Sequence, residues 1–220
     1  MIRIGVTGTD TGVGKTVVSC AIVAGMRKSI VRVAAMKPIE SGGCGDAECL
    51  QRATAMMYPM RLVCPMSFVE PLAPMVAAQR ANIDVDLQIL QAAFNEMSAT
   101  SDAIVVEGAG GLLVPITGTE SFATLFRRWD LDIVVVGANR LGVINHTLLT
   151  VRAAREVGLR VRAVVLNSPA RDPQGVAELT NLALLRELLP DIAVIPFAFT
   201  GRPDNPPHIS LSNLGFDEAI

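Results

Sequence analysis

The segment Gly8-Thr9-Asp10-Thr11-Gly12-Val13-Gly14-Lys15-Thr16 joins an apolar run to a stretch of helical periodicity, and it closes on a glycine, a lysine and a hydroxyl. Those residue types in that order suit a polyphosphate. Glycines allow successive backbone N–H groups to turn toward phosphate oxygens at a helix start, where the dipole favours negative charge. Lys15 adds a mobile cation, and the Thr16 hydroxyl stands where it can ligate a magnesium ion (Mg2+) bridging the outer phosphates of ATP. The strict phosphate-loop pattern needs glycine at position 9, where this chain has Thr9 and Gly8 comes one residue too early, so the match is to a variant loop. A glycine-rich turn that holds no ligand is the competing reading. The strand before the loop and the helix after it argue against that.

Two more charged residues close apolar runs. Lys37 opens the segment Lys37-Pro38-Ile39-Glu40-Ser41-Gly42-Gly43, and taken alone it is expected to be a solvated surface charge. Glu107 follows four apolar residues and precedes Gly108-Ala109-Gly110-Gly111. A carboxylate buried there needs compensation. Magnesium bound to ATP would supply it, and the glycines allow a backbone nest for a further anion. The turn Gly137-Ala138-Asn139-Arg140-Leu141-Gly142 leads into Val143-Ile144-Asn145-His146, where His146 is expected on a helix surface or at its cap rather than as a base.

These residues need a scaffold, and the pattern of runs supplies one. Ile2 to Thr7, Val31 to Met36, Ala103 to Glu107, Asp132 to Gly137, Arg162 to Asn167 and the weaker Ile192 to Pro196 are continuously apolar rather than alternating, as expected of strands covered on both faces. Lys15 to Arg27, Leu87 to Met97, Ile144 to Val157 and Val176 to Leu189 carry apolar residues at three- and four-residue spacing and read as crossover helices. The alternation predicts an α/β fold of the P-loop NTPase type over residues 1–220, a single domain with a doubly wound, mainly parallel sheet flanked by helices. Ligands of such sheets sit beyond the carboxyl ends of the strands, where Lys15, Lys37 and Glu107 all fall. Pro59 to Pro74, rich in Pro and Met, breaks the alternation, and Gly201 to Pro207 reads as a polar, Pro-rich loop.

Composition excludes several classes. A length of 220 residues with 50% hydrophobic content suits a globular domain, and a net charge of −2 offers no basic field for nucleic acid. Met1 to Val6 lacks the features of a signal peptide, so a cytoplasmic location is expected. Mean hydropathy is +0.43. The apolar runs are nevertheless strand-length, well short of the roughly 18 residues of a membrane-spanning helix, so no membrane partner is expected. Cys20, Cys44, Cys49 and Cys64 show no zinc-ligand spacing and are expected as reduced thiols, with Cys44 and Cys49 in a loop around Asp46.

Taken together, the loop at 8–16, Lys37-Pro38 with Ser41-Gly42, Glu107-Gly108-Ala109-Gly110-Gly111, and Leu141-Gly142 with Ile144-Asn145-His146 closely resemble dethiobiotin synthetase. The resemblance covers nearly the whole chain. It implies an ATP-dependent closure of a ureido ring from diaminopelargonate and carbon dioxide (CO2), with release of ADP and phosphate. It implies Lys37, Lys15 and Thr11 as catalytic residues, and Thr16, Asp46 and Glu107 as magnesium ligands. By the same resemblance, Gly12, Val13, Gly14, Lys15, Thr16 and Val17 hold the nucleotide phosphates with Gly108, Ala109 and Gly110. Asn167, Ser168, Pro196, Phe197 and Ala198 flank the base. Thr11, Lys37, Ser41, Gly110 and Gly111 hold the carbamate end of the substrate, and Asn145 contacts it across a homodimer interface. Gly12 stands where many members carry glutamate. A partition-type ATPase switch is the main rival, disfavoured because the loop lacks a second early lysine; a cobalamin-pathway synthetase would need an added glutaminase domain.

Overall fold

The computed structural model describes residues 1–168, 170, 175–198 and 207–216. The apolar runs form β1 (Ile2–Gly8), β2 (Val33–Met36), β5 (Ala103–Gly111), β6 (Asp132–Ala138), β7 (Val161–Asn167) and β8 (Ala193–Phe197). They assemble into one parallel sheet ordered β2-β5-β1-β6-β7-β8. All seven residues of β6 and the first six of β5 are buried, which is why their sequences do not alternate. The crossover helices are α1 (Lys15–Met26), α5 (Leu87–Thr100), α7 (Val143–Glu156) and α8 (Val176–Leu188). Trp129 is packed face to face on Phe94 of α5 with ring centroids 4.4 Å apart, and its indole N–H donates to Gln91 Oε1 at 2.9 Å.

Strand register does the positioning. Met36 of β2 pairs with Val106 of β5, so Lys37 emerges level with Glu107. Val6 of β1 also pairs with Glu107, which places that carboxylate beside the start of the phosphate loop. The first connection carries the chain from β1 to one edge of the sheet, and β6 returns on the other side of β1. The loop after β1 therefore opens at the point where the winding reverses, where doubly wound sheets bind ligands.

Some elements differ from the sequence expectation. β5 runs to Gly111 and not to a turn after Glu107, because its glycines continue the ladder beside Gly8. Val31 is 84% exposed and lies outside β2. The Pro- and Met-rich stretch holds structure of its own: α3 (Met60–Val63) follows Pro59, β4 (Met66–Phe68) pairs with β3 (Ile39–Ser41), and Pro74 opens α4 (Pro74–Ala81) at a position that needs no backbone N–H. Two further helices, α2 (Gly45–Ala53) and α6 (Phe122–Arg128), were not expected from the sequence. Cys44 lies at the N-cap of α2 and Cys49 inside it, so the loop expected there is a helix; none of the four cysteines forms a disulfide. Most of the loop expected at 201–207 lies outside the described residues. Among the described residues no helix is long and apolar enough to cross a membrane.

Residues 207–216 return over α1, where Ile209 N–H donates to the Ala21 carbonyl at 3.1 Å. A Cβ at Gly25 would lie 1.9 Å from the Ile209 carbonyl oxygen, a backbone atom that cannot swing aside. Gly25→Ala is expected to reduce unfolding free energy by about 1–3 kcal/mol, measured by urea denaturation. Gly45→Ala, whose Cβ meets nothing within 4 Å, should show no loss. Equal stability of both variants would mean that the 207–216 segment does not pack on α1 in solution.

Candidate active site

β1 ends at Gly8 and α1 begins at Lys15, with Gly14 between them at φ +93°. No side chain caps α1, and its first turn carries no acidic residue, so its leading N–H groups are left for an external anion. Gly14 also permits a close approach: a Cβ there would sit 2.2 Å from Asn167 Nδ2, which donates to the Val13 carbonyl at 2.9 Å. Asn167, expected at the base, thus braces the loop through its amide nitrogen. Lys15 is buried and donates to the Asp10 carbonyl at 3.1 Å. Burial, and then the charge of Lys37, lower its pKa from the ordinary lysine value.

Lys37 is not the solvated charge expected of it in isolation. It is 2% exposed, because the pairing of β2 with β5 carries it into the sheet edge. Its ammonium lies 2.6 Å from Glu107 Oε1, 2.7 Å from Asp46 Oδ2 and 3.3 Å from the Gly108 carbonyl. Burial pulls the ammonium pKa down, but the Glu107 and Asp46 carboxylates outweigh it and hold it above the usual lysine range. For Asp46, burial acts upward and is outweighed by the charge and the hydrogen bond of Lys37, leaving its carboxyl below the usual range.

Thr16 Oγ1 donates to the same Glu107 oxygen at 2.9 Å. Glu107 is fully buried, and its second oxygen, Oε2, has no hydrogen-bond partner among the described residues. An orphaned buried carboxylate oxygen is costly unless something else satisfies it. Asp46 Oδ2 and Glu107 Oε1 both meet the Lys37 ammonium and Thr16 Oγ1 sits on the same Glu107 oxygen, so oxygens of three side chains gather here, a donor set whose chemistry suits a hard divalent cation. The described residues contain no group of three or more His, Cys, Asp or Glu side chains suited to a metal, so nucleotide and water would have to complete such a coordination.

A cleft of about 620 Å3 opens over these groups. Of the expected residues, Thr11, Gly12, Gly14, Lys15 and Thr16 line its phosphate-loop side. Lys37, Ser41, Asp46, Ala109 and Gly110 line the other side. Ser41 Oγ is buried and has no partner among the described residues. Val13 is buried, Val17 packs on the core, and Glu107 and Gly108 are buried; none of these four lines the cleft, nor does Gly111 at the end of β5. Ser168 donates its backbone N–H to the Phe197 carbonyl at 2.8 Å, tying the ends of β7 and β8. The Phe197 ring is in the core, leaving Pro196 and Ala198 exposed. Asn145 and His146 lie exposed on the first turn of α7, outside the cleft. Sequence reasoning missed Glu40, the wall made by 71–74, and Val114. The prolines of that wall had registered only as a break in periodicity.

Several known proteins resemble the chain. The family described as "AAA domain" matches residues 3–197. The ATP-dependent dethiobiotin synthetase BioD of Anaeromyxobacter dehalogenans is 41% identical, over 87% of this chain and 88% of that protein. The protein of the same name from Nitrosospira multiformis is 36% identical over 87% of each. That from Thermodesulfovibrio yellowstonii is 32% identical over 98% of this chain and 97% of its own. A ParA family ATPase from Chlorobium tepidum TLS superposes with a TM-score of 0.52, covering 91% of this chain and 86% of that one at 11% identity, which shows a shared fold.

Proposed function

Because the chain belongs to the ATP-dependent dethiobiotin synthetase family, we propose that it closes the ureido ring of dethiobiotin from diaminopelargonate, CO2 and MgATP, releasing ADP and phosphate. Membership alone makes it an ATP-dependent ligase of biotin biosynthesis. The observation that carries the finer reading is the buried Lys37, gripped by Asp46 and Glu107 on the same cleft as the phosphate loop. A ligand-free structural role would not call for a cation, two carboxylates and uncapped helix N–H groups around one opening.

In this reading the N-terminus of α1 and Lys15 bind the outer phosphates, while Thr11, Ser41 and the backbone of Gly110 and Gly111 hold a carbamate formed on one amine of the substrate. Lys37 offsets the charge that gathers as a carbamate oxygen attacks the γ-phosphorus and ADP leaves. The second amine then attacks the carbamoyl carbon of the mixed carbamic-phosphoric anhydride, phosphate departs, and the ring closes. Thr16, Asp46 and Glu107 would hold magnesium, whose charge would further neutralise the triphosphate. Asn167, Ser168 and the 196–198 segment, Pro196, Phe197 and Ala198, would flank the base. Asn145, exposed and outside the cleft, fits a homodimer in which a second copy brings it to the substrate. We extend the proposal to residues 1–220 acting as one domain in the cytoplasm.

The test is phosphate release by the purified protein with MgATP and bicarbonate, with and without diaminopelargonate, together with product mass. Phosphate released only with the diamine, in step with dethiobiotin, is the expected result. Slow ATP hydrolysis indifferent to the diamine would sink the reading.

A further inference from the structure

Glu40 of β3 has no part in the mechanism above, yet it is 6% exposed and lines the cleft. Its two oxygens are spent on one task. Oε1 accepts the backbone N–H of Asp46 at 2.9 Å, and Oε2 accepts that of Ala47, also at 2.9 Å. Those are first-turn donors of α2, whose N-cap, Cys44, contributes no side-chain hydrogen bond. A cap supplied from within the helix would satisfy the donors and fix nothing else. Here the acceptor reaches over from another element, so it locks the start of α2 to β3 and adds negative charge where the helix dipole is positive.

The consequence lies in what α2 carries. Asp46 sits in the held turn, and its carboxylate, 45% exposed, is the less enclosed of the two gripping Lys37. Lys37 lies three residues before Glu40, so one short segment grips Asp46 by its side chain at one end and by its backbone at the other. We infer that Glu40 is a positioning residue for Asp46. It holds the α2 backbone where the Asp46 carboxylate meets Lys37 and the incoming cation. This inference rests on the metal-ligand role proposed for Asp46.

Glu40→Ala removes both acceptors, and Glu40→Gln keeps one oxygen acceptor. Two readouts separate positioning from general damage: Mn2+ binding to the protein–ADP complex by electron paramagnetic resonance, and ADP affinity in chelator without metal. Glu40→Ala should weaken Mn2+ binding, and raise the half-saturating Mg2+ for turnover, by about 10- to 100-fold. Metal-free ADP affinity should be unchanged, and Glu40→Gln should fall between Ala and wild type. Wild-type metal dependence in the variants would overturn the inference, as would metal-free ADP binding weakened to the same degree. If the Ala variant does not fold, the Gln variant carries the same comparison. Wild type without diamine-dependent turnover would instead sink the functional reading, while the Mn2+ comparison still judges Glu40.

Discussion

Lys37→Ala is expected to lower diamine-dependent phosphate release by about 1,000-fold, the scale lost when a preorganised charge at a reacting centre is removed. Lys37 reaches the site through backbone register, not through a flexible surface stem, and it is 2% exposed. Neighbouring side chains therefore have little room to substitute for it. Lys15, already committed to the Asp10 carbonyl and the phosphate loop, cannot stand in. ADP affinity should change little, because the uncapped start of α1 is untouched. Single-turnover phosphate release and ADP titration on the same preparation check both halves. A variant that keeps most of the wild-type rate would remove Lys37 from the chemistry.

Glu107→Gln is expected to cost substantial stability. Glu107 is fully buried and holds Lys37 at 2.6 Å, while the other partner, Asp46, is about half exposed. Neutralising Glu107 leaves a buried ammonium poorly compensated, at a cost of about 3–5 kcal/mol. Lys37→Met combined with Glu107→Gln removes both buried charges and should recover most of that stability without recovering turnover. Urea denaturation of the single and double variants measures the coupling. A double variant no more stable than Glu107→Gln would show that the pair does not act as a unit.

The sequence by itself determined the class of the fold and the nucleotide end of the site. Strands β5 and β6 carry the continuous apolar runs 103–106 and 133–136, and a parallel sheet buried on both faces requires that. Gly14, Lys15 and Thr16 are adjacent in the chain, so their phosphate chemistry is written locally. Local pattern fades in β3 and β4, which are three residues each and owe their existence to what they pack against. Only the tertiary structure decided that Lys37 is buried. Its partner Glu107 is 70 residues away, and they meet because β2 pairs with β5 in one register. The grip of Glu40 on α2 is of the same kind, since no helix-cap pattern within residues 44–48 reports an acceptor on a neighbouring strand. Contiguous chemistry survives in one dimension; an ion pair between strands exists only once backbone hydrogen bonding has set which residues lie side by side.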